Sequence, residues 1–292
     1  MTSIPAAFGP QHWTARRWLA WSLLPLLLLG VALWVQLQPV LPAHRALFLQ
    51  INQSAQTLPP ALWSALTLLG DTGVLFALLS PLLLLRPQLM LAVMAAVPLG
   101  GLFSVFLKRT LDAPRPAAVL DAAQFHLIGP LLSNHSFPSG HTLSAFAAAG
   151  ALLATLASAG RATAPSPPAH SSTKTWRLAA AASVILGLAT LVGVSRIAVG
   201  AHWPADVLAG ASCGWLAGLS GAAVARQFPS LWRNLVAQRV MGGALLGLVA
   251  WLLRHPVEYP LGAAVVWLAA ACALVTVAMQ VRAWAYARKS AR

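Results

Sequence analysis

Eight apolar runs constrain this chain more than any other feature. They fall at Trp18–Leu37, Ala61–Leu85, Gln88–Leu107, Thr142–Gly160, Leu178–Val194, Val207–Ala225, Val240–Leu253 and Leu261–Val281. A helix needs about 20 mostly apolar residues to cross a bilayer, and all but one of the runs come close to that. The exception is Val240–Leu253, with 14 residues. The runs are continuous rather than alternating, which argues against a transmembrane β-barrel. Hydrophobic residues make up 59% of the chain and charged residues 8%, against roughly 25% charged in a soluble domain. The expected fold is all-α, a polytopic transmembrane helical bundle. A disordered chain, a disulfide scaffold and a typical cytosolic enzyme are excluded.

The net charge of +14 invites a nucleic-acid reading. That reading fails because the basic residues form no patch. They punctuate the apolar runs, as topology signals do. Eight spans put both termini on one side, and Arg16-Arg17 ahead of the first span makes that side cytoplasmic. Of the 19 basic residues, 13 then face the cytoplasm and six (Arg45, Lys108, Arg109, Arg115, Arg196 and Arg254) lie outside. This agrees with the positive-inside rule. The first span is expected to stay as an uncleaved anchor, because its apolar stretch is longer than a signal h-region. Cys213 and Cys272 sit inside apolar runs and are expected to be free thiols.

Three parts are expected. Residues 1–60 hold a tail, the first span and an outer segment with a surface helix around Ala46–Leu49 and Asn52. Residues 61–225 hold the polar motifs. Residues 226–292 add two spans and a basic tail. Residues 161–177 read as a flexible Pro/Ser/Thr-rich cytoplasmic loop, and residues 226–239 as a short basic interfacial helix. The outer loop 117–137 is unusually apolar. It either lies in the membrane interface, where a lipid would enter, or packs on the bundle. Asn52 and Asn134 head glycosylation tripeptides, which occur often by chance.

Polar residues are costly near lipid, so chemistry is sought there. Three clusters stand at outer helix ends. The first is Lys108, Arg109, Asp112, Arg115 and Pro116. The second is Pro138-Ser139-Gly140-His141. The third is Ser195-Arg196 with Gly200, His202, Pro204 and Asp206. Charge counting alone puts all three on one face. Three cations without a compact carboxylate pair suit a phosphate-like anion. Ser139-Gly140-His141 would open a helix, whose free N–H groups also favour an anion. His202 and Asp206 are four apart on one helix face. A carboxylate on one imidazole nitrogen leaves the other nucleophilic.

Bland readings compete at each position. His141 alone would be a cap, the His202–Asp206 pair a capping interaction, and Lys108, Arg109 and Arg115 headgroup anchors. Three complementary clusters on one face make coincidence a poor account. Asp71, in the outer half of the second span, is expected to bond a neighbouring helix. His126, His135, Asp112 and Asp121 fit no metal-ligand spacing well.

These residues resemble the type 2 phosphatidic acid phosphatase (PAP2) superfamily, which includes vanadium haloperoxidases and bacterial non-specific acid phosphatases. Its signature is K-x6-R-P, then P-S-G-H, then S-R-x5-H-x3-D. The chain has Lys108-x6-Arg115-Pro116, Pro138-Ser139-Gly140-His141 and Ser195-Arg196-x5-His202-x3-Asp206. The resemblance covers about residues 90–225 and implies a six-helix core, with the last two spans beyond it. It implies that His202 is the nucleophile, that Asp206 orients it, and that His141 protonates the leaving oxygen and then activates water. It implies that Lys108, Arg115, Ser139, Gly140 and Arg196 hold the phosphoryl group, and that no metal or other cofactor is needed.

The expected function is a lipid phosphate or diphosphate phosphatase at the outer face of a cytoplasmic membrane, with undecaprenyl diphosphate the leading substrate. Phosphatidylglycerophosphate, phosphatidic acid and lipid A phosphate stand behind it. The partners are the phosphorylated lipid and the bilayer. A phosphotransferase would use the same residues with a different acceptor, and a transporter of phosphorylated lipids would also gather cations. The transporter has no need of paired histidines.

Overall fold

The structure, a computed structural model, describes residues 13–38, 41–159, 171–228, 231 and 234–290. It is a helical bundle. In chain order the helices are α1 (Ala15–Leu37), α2 (Pro42–Ala55), α3 (Pro60–Leu68), α4 (Thr72–Leu79), α5 (Leu82–Leu85) and α6 (Pro87–Leu111). They continue with α7 (Pro116–Val119), α8 (Gly140–Ala159), α9 (Ser171–Ala198), α10 (Pro204–Gln227), α11 (Leu235–Arg254) and α12 (Ala263–Ser290). Among the described residues seven helices are long and apolar enough to span a membrane, and the bent pair α3–α4 makes an eighth span if taken as one.

The second apolar run is not one straight helix. It turns by 73° between α3 and α4. Gly70 stands at the corner, where a Cβ would come within 2.5 Å of Val192 Cγ1 and 2.8 Å of His141 Cβ. Only glycine lets this corner approach the first turn of α8 so closely. Asp71 corrects its expectation as well. It does not bond a neighbouring helix; its Oδ1 accepts from the Val74 N–H at 2.9 Å and caps α4. Aspartate is among the strongest N-caps.

The short seventh run becomes a helix of 20 residues, α11. Its polar start hides its length in the sequence. Gln238 faces α12, where its Oε1 accepts from the Trp284 indole N–H at 3.2 Å. The interfacial helix expected at 226–239 falls partly on residues outside the described ones. Arg226 and Gln227 finish α10, Leu231 stands in a 3-10 turn, and residues 235–239 begin α11, which Asn234 caps through a bond from Val236 N at 2.8 Å. Residues 171–177, expected in a loop, are the first turns of α9. The rest of that loop, 161–170, lies outside the described residues.

The centre of the bundle is the contact between α8 and α10. Gly210, Gly214 and Gly218 recur every four residues on one face of α10. A Cβ at Gly210 would lie 2.5 Å from Ser139 O, and one at Gly218 2.5 Å from Ala147 O; at Gly214 it would press on Leu143 O. Small residues at this spacing let two membrane helices touch backbone to backbone. On α8, Gly150 returns the contact against Trp215. α6 packs beside the pair, and α1 covers α10 by stacking Trp21 on Trp215 with ring centroids 5.7 Å apart. α11 and α12 pack on α3 and α4. Ser80 and Thr276 share a buried hydrogen bond of 3.0 Å there.

α2 is more than a surface helix. Asn52 is wholly buried. Its Oδ1 accepts from His126 N at 2.8 Å, and its Nδ2 donates to His126 O, Ile197 O and Ala198 O at 3.0–3.1 Å. The side chain thus ties the 117–137 loop to the end of α9. In the folded chain it is closed to glycosylation. Asn52→Leu would leave several buried backbone groups without partners, each costing about 1–3 kcal/mol. We expect this variant to lower stability in detergent by about 3 kcal/mol, measured by thermal or chemical unfolding.

The packing reading of the 117–137 loop holds for part of it. Leu120, Phe125 and Phe137 are buried, the first two against Phe48, Ile197 and Trp203. Val119, Leu127, Leu131 and Leu132 remain exposed.

Candidate active site

Alternating helix directions bring four helix ends together: the ends of α6 and α9 and the starts of α8 and α10. Asp206 lies in the first turn of α10 and is fully buried. Its Oδ2 accepts the Trp203 N–H at 2.8 Å, the Ser136 hydroxyl, and His202 Nδ1 at 3.3 Å. His202, 2% exposed, turns its other nitrogen to Arg115, with Nη1 to Nε2 at 3.3 Å. A guanidinium only donates, so Nε2 accepts and the proton sits on Nδ1, facing Asp206. This is the tautomer a nitrogen nucleophile at Nε2 requires.

Arg115 is held at both ends of its fork. Nε donates to Asn134 O at 2.9 Å and Nη1 to Ala201 O at 3.0 Å. The carbonyls come from the loop before α8 and the turn before α10. That turn is possible because Gly200 adopts φ 77 and lies so close to His126 O that a Cβ would sit 2.6 Å from it. Arg196, also 2% exposed, donates through Nη1 to Thr67 Oγ1 and to Tyr259 Oη, the latter at 2.9 Å. Its Nε is buried without a partner.

The N-terminus of α8 completes the arrangement. Ser139 N donates to Asp206 O at 3.0 Å, and the Ser139 hydroxyl accepts from Thr142 at 2.9 Å. Gly140 opens the helix, and nothing stands within 4 Å of where its Cβ would be. His141 and Lys108 are partly exposed and make no side-chain hydrogen bond among the described residues. The structure therefore gathers Lys108, Arg115, Ser139, Gly140, His141, Arg196, His202 and Asp206 at one end of the bundle. Arg109 is exposed and outside it. Of the four residues weighed for a metal, His135 and Asp112 form an exposed pair at 3.6 Å. Among the described residues no group of three or more His, Cys, Asp or Glu is placed to hold an ion.

Sequence reasoning missed four contributors. Ser136 reaches Asp206, Thr67 and Tyr259 hold Arg196, and Asn52 anchors the loop that positions Arg115. Ser136 stands two residues before the Pro-Ser-Gly-His motif, a nearness that could have drawn notice. The other three are remote in sequence and carry no local signal.

Burial, and after it the Arg115 guanidinium, push the His202 imidazole well below its ordinary 6.5. The folded chain thus keeps His202 neutral. Below about pH 6.5 the unfolded chain takes up a proton there that the folded chain does not. Stability attributable to this group is full at neutral pH and falls as pH drops below 6.5. We expect the melting temperature in detergent to fall between about pH 7 and 5, and to fall less in His202→Gln. Equal slopes would show that His202 is not held neutral.

Residues 89–230 match the PAP2 superfamily. This stretch is a PAP2 superfamily domain. Over this stretch the chain is thus similar to metal-independent phosphatases of that superfamily, and among the described residues it has seven, or up to eight, helical segments long and apolar enough to cross a membrane. Two solved structures are similar. One is the crystal structure of Aquifex aeolicus LpxE, 28% identical, covering 63% of this chain and 97% of that one with a TM-score of 0.49. The other is the crystal structure of the first transmembrane PAP2 type phosphatidylglycerolphosphate phosphatase from Bacillus subtilis. It is 20% identical and covers 70% of this chain and 96% of that one, with a TM-score of 0.50. The second likeness is one of fold. No curated protein matches the chain.

Proposed function

We propose that this phosphatase removes phosphate from a lipid phosphate or diphosphate at the outer face of a cytoplasmic membrane. Both termini then face the cytoplasm, and undecaprenyl diphosphate is the leading substrate. The supporting observation is the polar inventory of the pocket. Arg196 Nε is a buried donor without a partner, which a phosphoryl oxygen would satisfy. Beside it a neutral imidazole presents Nε2 among three cations. Three cations favour a diphosphate over a singly phosphorylated lipid, because the diphosphate carries more charge. The orientation rests on the distribution of basic loop residues.

In this reading His202 Nε2 attacks phosphorus while the bond from phosphorus to the leaving oxygen breaks. His141 gives that oxygen its proton. Water then attacks the phosphohistidine, His141 takes the proton, and the phosphorus–nitrogen bond breaks to release phosphate. Asp206 stabilises the imidazole through Nδ1. Lys108, Arg115, Arg196, and the Ser139 and Gly140 backbone hold the developing charge.

An apolar cavity of about 590 Å³ supports a hydrocarbon-bearing substrate. It lies between α1, α8, α9 and α10, with Trp21, Leu28, Phe146, Leu153, Leu186 and Trp215 in its wall. Phe146 is five residues beyond His141 on α8, about 8 Å along the helix axis. The domain division 1–60, 61–225 and 226–292 belongs to the same proposal.

The test is phosphate release by purified protein in detergent without added metal. The panel holds undecaprenyl diphosphate, phosphatidylglycerophosphate, phosphatidic acid and lipid A. Release highest from undecaprenyl diphosphate is expected. Release only from another lipid would replace that substrate, and none from any lipid by folded protein would overturn the proposal. Labelling of cysteines placed in the 117–137 loop from the outside tests the face.

A further inference from the structure

The two helices after the PAP2 domain reach into the site. Tyr259 lies in the connection between α11 and α12, outside residues 89–230, and is 1% exposed. Its hydroxyl accepts from Arg196 Nη1 at 2.9 Å, and the Arg196 Cζ stands 5.5 Å from its ring centroid. We propose that Tyr259 is a positioning residue for the reaction. It holds Arg196 so that the unpartnered Nε faces the phosphoryl group, and this is the contribution of the C-terminal helix pair to the site. The inference rests on the phosphate-binding role of Arg196 proposed above.

Two separate packings hold the tyrosine. Gly262, three residues on, lies so close to α3 that a Cβ would come within 2.7 Å of Ser64 C and O. That contact sets the connection against the helix that carries Thr67, the other acceptor for Arg196 Nη1. Gly129 of the 117–137 loop adopts φ 91, and a Cβ there would lie 2.5 Å from the Tyr259 ring. The phenol is thus fixed between α3, the loop and its own connection. An arginine side chain has about 2 kcal/mol of rotamer entropy to lose. When Thr67 and Tyr259 hold Nη1, that loss is taken on folding and not on substrate binding. The remaining donors stay aimed where charge develops.

Tyr259→Phe keeps the ring and its packing and removes the acceptor. A hydrogen bond to a charged group is worth about ten-fold or more in an equilibrium. The test uses the full chain in detergent with the best lipid of the panel. Wild type, Tyr259→Phe, Arg196→Lys and the double variant are compared. Arg196→Lys keeps a cation and removes the fork. The expected result is a roughly ten-fold fall in kcat/KM in Tyr259→Phe, with inorganic phosphate inhibiting more weakly by a similar factor and the melting temperature lower by no more than about 5 °C. In the Arg196→Lys background, Tyr259→Phe should add little, because the two act as one unit. Wild-type kinetics in Tyr259→Phe, or an equal loss in both backgrounds, would overturn the inference. So would a loss explained wholly by a lower melting temperature. If Arg196→Lys is impaired while Tyr259→Phe is not, the inference fails alone. If wild type releases no phosphate, the underlying reading fails and the inference falls with it.

Discussion

His202→Ala is expected to lower phosphate release by about 10³-fold or more, the usual scale for removal of a nucleophile. The residue stands at the convergence of the site. Asp206 holds its Nδ1 proton, Arg115 meets its Nε2, and burial keeps its imidazole neutral at neutral pH. Alanine removes the attacking atom, and no other described group in the pocket occupies its place. Asp206 keeps the Ser136 hydroxyl and the Trp203 N–H, so its carboxylate does not lose all its partners. The variant should therefore fold, and its melting temperature should be read beside its rate. A second measurement addresses the intermediate. Wild-type protein quenched during turnover of a labelled lipid should carry acid-labile, alkali-stable phosphate, as a phosphorus–nitrogen bond does, and His202→Ala should carry none. Activity retained in the variant would remove His202 from the chemistry.

A large effect on stability is also expected from Gly214→Val. A Cβ at this position would press on the Leu143 carbonyl and lie 3.0 Å from Ala147 N. Both obstacles are backbone of α8, which cannot rotate aside as a side chain can. The helices must separate, and the contact between α8 and α10 runs the length of the bundle centre. Overpacking of this kind costs about 3 kcal/mol. The separation would also pull Ser139 away from Asp206, so activity should fall together with stability. Gly243→Val is the control, since nothing lies within 4 Å of its Cβ position. We expect Gly214→Val to give little folded protein in detergent by size-exclusion chromatography, and Gly243→Val to behave as wild type. A well-folded Gly214→Val would show that α8 and α10 are not packed as described.

The parts of the site within short motifs were legible in the sequence. Lys108, Arg115, Ser139, Gly140, His141, Arg196, His202 and Asp206 stand at fixed spacings, and each motif borders an apolar run. The partners that hold these residues were not legible. Thr67 lies 129 residues from Arg196, and Tyr259 lies 63 from it. Asn52 bonds to carbonyls 145 and 146 residues away. Neither periodicity nor spacing carries such pairings. The Asp71 cap was a readable signal in Leu-Gly-Asp-Thr, but the apolar residues on both sides made one long helix the simpler pattern. Polarity misled in the other direction at α11, where Gln238 and Arg239 shortened an apolar run that the helix passes through.

The sequence by itself determined the all-α membrane class, the order of the apolar segments and the polar motifs that stand at their ends. It could do so because a bilayer demands long apolar helices, and charge or hydrogen-bonding groups among them stand out. Only the tertiary structure decided how the groups meet. It turned the second span at Gly70, set Arg115 against His202 Nε2, and left Arg196 Nε without a partner. It also placed a tyrosine from the connection between the last two helices against the buried Arg196. Those results depend on close packing between distant helices, where one glycine or one buried acceptor sets the geometry, and such contacts leave no trace in local pattern.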